Sequence, residues 1–359
     1  MTNTILFPKE VRSLVAAGSP VAIGISGGKD SCALAIALNE FLDSVGHTGP
    51  RVLVHSDLGN VEWTDSIRTC YRLSDRLGLR FLVVRKSLMD RWKLRWRNNV
   101  SRWVNLECVK LILPWSTPAM RFCTSDAKLT PICSELSRQF PGQVILSASG
   151  IRRDESPNRA KALVFKEQKR LTRKTTGTSG FDWNPLLDWS ALDVFEYLER
   201  KGFDLHEAYT RYGSSRVSCA FCILASFGDL RAAARCEENH GLYRELVNLE
   251  IESTFAFQGS RWLGDVAPWL LDTEALHGLQ ATKEKARLRM EAEKKIPSHL
   301  LYEKGWPKVL PTWTEAKLLC QVRRTVAQAV GLPETFTAPD ELRARYLSLM
   351  TEKRTYEHK

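Results

Sequence analysis

No apolar run in this sequence approaches the ~18 residues a helix needs to cross a bilayer, so no membrane-spanning helix is expected. The opening residues, MTNTILFPKEVRSLVAAG, lack the cationic-then-apolar layout of a secretion leader, so a cytoplasmic protein without membrane partners is expected. No internal repeat is visible. Acidic residues are the minority charge: 41 Asp and Glu against 52 Lys and Arg leave a formal +11. Such an excess favours anionic partners, nucleotides or nucleic acid among them, and says nothing about fold. The nine cysteines are an odd number without secretory context, so burial, metal binding or catalysis is expected of them rather than a disulfide framework.

What is present is an ordinary apolar content of 43% spread over 359 residues, enough for a sizeable core and two domains. Through the first 200 residues short β-branched runs alternate with helical patterns. Strands are expected at 20–25, 51–55, 80–84 and 143–148, with helices at 31–44, 62–77 and 124–139. That alternation predicts an α/β fold, a parallel twisted sheet with helices on both faces. Ligands of such sheets sit at the carboxyl ends of the strands. Residues 166–182, KEQKRLTRKTTGTSGFD, are polar, basic and aperiodic and read as a mobile loop. Ser190 and Gly202 bracket a further helix as N-cap and stop. The expected division is 1–225 for the α/β domain and 226–359 for a mostly helical C-terminal region.

The stretch VAIGISGGKDSCALAIAL, 21–38, is a strand, a glycine turn and a helix in succession. Its spacing is not that of a Walker loop: three residues separate Gly24 from Gly28, and Asp30 follows Lys29 where Ser or Thr would stand. The physics still favours phosphate. Ser26, Gly27 and Gly28 can present successive backbone N–H groups at the head of a helix whose dipole attracts anions, and Lys29 adds a point charge.

SGGKDS at 26–31 resembles the pyrophosphate-binding loop of the ATP pyrophosphatase (PP-loop, adenine nucleotide alpha hydrolase-like) superfamily. HSDLGNVEWTDS (55–66), RFCTSDAKLTPI (121–132), SGIRRDES (149–156), NPLLDWSALDVFEYL (184–198) and YGSSRVSCAFC (212–222) follow in the order of its phosphoadenylyl-sulfate-reductase-like branch. The resemblance covers roughly 15–228, leaving the C-terminal third aside. It implies cleavage between the α and β phosphates of ATP or an adenylyl-sulfate nucleotide. By motif match Ser26, Gly27, Gly28, Lys29, Asp30 and Ser31 would cradle pyrophosphate, Asp57 would lie near the adenosine beside Gly150, and Arg152 and Arg153 would face the anionic end of the substrate. Arginine suits that role through bidentate contacts, although RRDES is also what a solvated helix start looks like.

Two activities share such a scaffold. A thioredoxin-dependent phosphoadenylyl-sulfate reductase would attack sulfate with a cysteine in a Glu-Cys-Gly-aliphatic-His motif. This chain ends TEKRTYEHK, and Cys320, in WTEAKLLCQVRR, reads as a core residue of an amphipathic helix. The alternative is adenylation of a nucleic acid by ATP with Mg²⁺ bridging the phosphates, then sulfur delivery from a cysteine desulfurase partner. DNA phosphorothioation is the favoured setting and tRNA thiolation the next. A non-catalytic nucleotide-sensing or nucleic-acid-binding module is the third reading, which the intact SGGKDS disfavours.

Cys219 and Cys222 form a C-x-x-C pair, open to metal, redox or core use. With Cys123, which matches the family cysteine of RFCTSDAK, they would make three thiolate ligands for an iron–sulfur cluster, zinc being the alternative. Cys236 is available as a fourth ligand, although AAARCEENHG reads as a helix end. Residues 85–105, RKSLMDRWKLRWRNNVSRWVN, carry Trp92, Trp96 and Trp103 among seven Arg and Lys. The tryptophans are open to stacking on unpaired bases or to burial on one helix face, their spacing of 4 and 7 fitting the latter as well. The basic residues of 159–174, from Arg159 to Lys174, could fold over a polyanion or over nucleotide phosphates.

Overall fold

Six strands form one sheet: β1 (Val21–Gly24), β2 (Arg51–Asp57), β3 (Arg80–Arg85), β4 (Val144–Ala148), β5 (Phe165–Glu167) and β6 (Ser179–Trp183). Their order is β3-β2-β1-β4-β6-β5, parallel at every pairing except β5 with β6. The computed structural model describes residues 4–357, and statements of absence below concern these. The four expected strands are present. Along β1, Val21 and Ile23 point into one core with helix α2 (Lys29–Ser44), while Ala22 joins Val52, Ile145 and Leu136 in a second core on the opposite face. The period-two alternation with apolar residues on both sides is what a doubly covered parallel sheet requires. Helix α1 (Lys9–Ala16) contributes Val11 and Val15 to the first of these cores.

The stretch expected as a mobile loop, 166–182, is instead partly sheet. SGFDW forms β6 because Gly180 permits close approach: a Cβ there would lie 2.4 Å from Leu171 Cδ1 and 2.7 Å from the Ile145 carbonyl. Phe165 and Phe181 then stack at 4.6 Å. Helix α3 (Thr64–Leu77) starts two residues later than expected and stops at Gly78, in the left-handed region at φ 62°. Ser190 does cap the helix Ala191–Arg200, in a reciprocal box with Asp193.

The chain divides into two compact units, Met1–Met89 with Pro118–His240, and Asp90–Thr117 with Gly241–Lys359. This division differs from a break at 225. Helix Phe227–Ala234 stays with the first unit, where buried Asp229 accepts from the Ser215 amide at 2.7 Å and from the hydroxyls of Ser214 and Ser226. The second unit is helical, with helices His240–Ser253, Thr273–Glu293, Trp313–Val330 and Pro339–Glu357. Trp92, Trp96 and Trp103, on helix α4 (Leu88–Val104), are 2%, 3% and 1% exposed. Trp92 meets Trp115 and Phe257 edge to face, and Trp103 lies under the Arg323 guanidinium at 4.2 Å. They are core residues, so the stacking-platform reading of this helix is corrected. No helix is long and apolar enough to cross a membrane.

Behind the glycine turn, Ser66, His206 and Asp65 are all buried. They do not form a catalytic triad. The Ala208 amide donates to His206 Nδ1 at 3.0 Å, so the ring proton sits on Nε2, facing Ser66 Oγ at 3.2 Å, and Asp65 is 3.8 Å from Nδ1. Burial lowers the His206 pKa from 6.5 to about 4, with Asp65 opposing. In that window the unfolded chain binds the extra proton, so this stability is complete above pH 6.5 and lost as pH falls toward 4. Melting curves should therefore fall more steeply over this window for the native protein than for His206→Gln. Parallel profiles for the two would refute the burial argument.

Candidate active site

β1 delivers the chain to a turn at 25–28, and α2 starts at Lys29. The turn can be that tight because Gly27 sits at φ 75°, where a Cβ would lie 2.8 Å from the Ser66 carbonyl. β4 runs beside β1 and ends at Ala148, and Gly150 passes the helix start so closely that a Cβ would stand 2.6 Å from the Asp30 carbonyl. At this switch point of the sheet opens a cavity of about 560 Å³, bounded by Ser26, Gly28–Ser31, Gly150–Arg152, Lys128 and Arg216. The turn is shaped partly by its own amides. That of Ser26 donates to Ser31 Oγ at 3.1 Å and that of Lys29 to Tyr209 Oη at 3.2 Å. Anion attraction therefore rests on the helix N-terminus and on side-chain charge more than on a full ring of amides.

That charge is held rigidly. Lys29, 5% exposed, places Nζ 3.1 Å from Asp30 Oδ2, while Arg152, 3% exposed, donates from Nε to Asp30 Oδ1 at 2.6 Å. One carboxylate thus aligns two cations on one wall. Asp154 takes the other side of the Arg152 guanidinium and accepts from the Ala191 amide at 3.1 Å. Despite its burial, the two carboxylates hold the Arg152 pKa above its usual value. Tyr209 Oη also accepts from the Val217 amide at 3.1 Å, tying 214–217 to the glycine turn.

Half-buried Lys128, in the π-helical turn Ser125–Leu129, faces the cavity. Burial works against its charge, yet Cys219, Glu62, Cys222 and Cys123 hold its pKa above the usual value. Burial pushes the Cys219 thiol up to about 12, against Lys128, while Cys222, Glu62 and Cys123 add to the rise. Three of the expected metal-ligating thiols are therefore electrostatic neighbours around one ammonium. The backbone of Glu62 forms an antiparallel β-bridge with that of Cys219, and its carboxylate accepts from His55 Nε2 at 3.0 Å, with His55 Nδ1 3.0 Å from the Ile25 carbonyl.

A family model for the phosphoadenosine phosphosulfate reductase domain matches residues 20–225. The chain belongs to that family. Two solved structures resemble this reductase-family chain. One is phosphoadenylyl-sulfate (PAPS) reductase from Candida auris in a phosphate complex, 13% identical, with 60% of this chain and 88% of that chain covered at a TM-score of 0.36. The other is the U34-tRNA thiolase NcsA from Methanococcus maripaludis with its [4Fe-4S] cluster, 14% identical, covering 74% and 89% at 0.34. No curated protein matches the chain.

Within this PAPS reductase domain the expected residues separate. Ser26, Gly28, Lys29, Asp30, Ser31, Gly150 and Arg152 line the cavity, and Gly27 shapes its turn. Arg153 turns away: it pairs with Asp188 at 2.6 Å and donates to the carbonyls of Ala160 and Ala162. Asp57 accepts from Arg85 Nε at 3.1 Å and from the Gly59 amide at 2.9 Å, capping the end of β2. Cys236 stands with Glu207 and Glu238, their ligand atoms within 4.8 Å of one another, and with the Tyr212 hydroxyl. The other three thiols have Lys128 as an electrostatic neighbour, and their sulfurs do not all lie within 4.8 Å of one another. Of the basic 159–174 segment, Arg159 reaches the cavity, paired with Glu155. Lys128, Tyr209 and Arg216 were missed in the sequence. Lys128 and Arg216 lie inside RFCTSDAK and YGSSRVSCAFC, whose cysteines carry the stronger chemical signal. Tyr209 has no local signal at all.

Proposed function

We propose that the chain is an ATP pyrophosphatase that adenylates a nucleic-acid acceptor, DNA backbone phosphate before tRNA, to allow sulfur insertion. An acceptor oxygen attacks the α-phosphorus, the bond from that phosphorus to the bridging oxygen breaks, and pyrophosphate leaves. Persulfide sulfur from a cysteine desulfurase, reduced to sulfide by two equivalents of a thiol that leave as a disulfide, then displaces AMP. The observation that supports this reading best is the pair Lys29 and Arg152 aligned by Asp30 at a helix N-terminus. They provide fixed positive charge where the leaving diphosphate gains negative charge.

Cys123, Cys219 and Cys222 would hold an iron–sulfur cluster, their softness and the adjacent Lys128 cation suiting a thiolate-rich, negatively charged group. When bound, a cluster held by three thiolates supplies one iron open to sulfide. A preformed Mg²⁺ site does not fit the cavity equally well. Asp30 is engaged by Lys29 and Arg152, Asp154 by Arg152 and the Ala191 amide, and Glu155 by Arg159 and the Arg152 amide.

Pyrophosphate release from ATP, measured with single-stranded DNA, with tRNA and with neither, tests the reading. Release stimulated by DNA is expected. No release under any condition overturns it, and sulfite released from labelled phosphoadenylyl sulfate transfers the assignment to reduction.

A further inference from the structure

The helical unit holds a cavity of its own, about 580 Å³, lined by none of the residues assigned to the reaction above. Its walls come from the 254–262 loop, helix Thr273–Glu293 and Lys110. The loop is curved by buried Glu250, whose carboxylate accepts from the amides of Phe257 (2.7 Å), Leu263 (2.8 Å) and Gly264 (3.1 Å). Thr254 stands at φ 60°, a conformation that β-branched residues avoid. It is held there by Arg289, which donates from Nε to the Thr254 hydroxyl at 3.0 Å and from a terminal nitrogen to its carbonyl at 3.1 Å. The Arg289 guanidinium lies 3.8 Å from the Phe255 ring centre, and its charge is balanced by buried Glu293 at 2.8 Å.

The interior is therefore apolar and aromatic, backed by a neutralised ion pair, with Phe255, Trp262 and Met290 on its walls. The mouth is different. Lys283 is answered by Asp265 at 2.7 Å, and Arg287 by Glu284 and Glu291. Lys110 and Lys294 are exposed and have no ion-pair partner among the described residues. Two exposed cations without a salt-bridge partner, Lys110 having Glu293 only as an electrostatic neighbour, thus line an aromatic cavity.

A free inorganic anion would satisfy the lysines and leave the apolar walls wet. An aliphatic acid would fill the cavity without using its rings. A nucleotide meets both demands, and the volume lies within the roughly 300–1,000 Å³ of small-ligand sites. We infer that this cavity receives one unpaired nucleotide of a nucleic-acid strand, its base against Trp262 and Phe255 and its phosphate at Lys110 and Lys294.

Fluorescence anisotropy of a labelled oligothymidylate of about ten nucleotides tests the site. Trp262→Ala should weaken binding about 5- to 150-fold, the equivalent of one lost base stack. The pair Lys110→Glu with Lys294→Glu should weaken it at least about tenfold and flatten the salt dependence by roughly two phosphate contacts. Unchanged melting temperatures would show that the variants fold. Binding equal to the native protein's in both variants overturns the inference, as does oleate binding in the absence of any oligonucleotide binding. Lys29→Ala should bind the oligonucleotide normally, so failure here and failure of the pyrophosphatase reading are separable.

Discussion

Lys29→Ala should lower pyrophosphate release from ATP by about 10²- to 10³-fold, the usual cost of removing one preorganised group that meets developing charge. Lys29 offers such a group because it is already desolvated: 5% exposed, with the rings of Phe195 and Tyr209 at 5.5 and 5.6 Å from Nζ. The change should do little to the fold, since Asp30 keeps its bond from Arg152 at 2.6 Å and is not left as an unpaired charge. Arg152→Ala provides the contrast. It strips the guanidinium from both Asp30 and Asp154 and should cost on the order of 2–3 kcal/mol in stability, less than a fully buried pair because Asp154 is 44% exposed. A kinetic defect with an unchanged melting temperature in Lys29→Ala, beside both a kinetic and a melting defect in Arg152→Ala, separates charge that only meets phosphate from charge that also holds the wall together. Full activity in Lys29→Ala would end the pyrophosphatase reading.

The parts of this site legible in the sequence are those whose cause is local. SGGKDS after a β-branched run dictates strand, tight turn and helix start within eleven residues of chain, and the structure places its side chains along one cavity. What the sequence concealed is set by distant packing. Arg152 and Arg153 are chemically alike and adjacent, yet Asp30 lies on the side of Arg152 and Asp188 on that of Arg153. Asp57 ends β2, two residues beyond the expected strand, and finds Arg85 on β3, a pairing decided by register between strands. β6 escaped notice because its five residues include Gly180, whose value lies in what it lets Leu171 and Ile145 approach. Trp92, Trp96 and Trp103 obey their helical spacing. Only the second half of their surroundings, Trp115, Phe257 and Arg323, shows that the spacing marks a core.

Cys219→Ser is expected to empty the protein of iron, whereas Cys236→Ser should leave it nearly full. Protein purified without oxygen should be brown and absorb near ~400 nm, as thiolate-bound clusters do. The asymmetry follows from the two settings. Cys219 shares Lys128 with Cys123 and Cys222, so a cation stands ready to offset the thiolate charge that a cluster requires. Burial raises the Cys219 thiol strongly, so an unliganded Cys219 keeps its proton and metal binding there must release it. Cys236 has two carboxylates and a phenol for neighbours, a harder donor set that disfavours iron–sulfur chemistry. Equal iron loss in both variants would return Cys236 to the ligand set. Colourless, iron-free native protein would remove the cluster from the proposed sulfur chemistry and leave the adenylating cavity to be judged by pyrophosphate release.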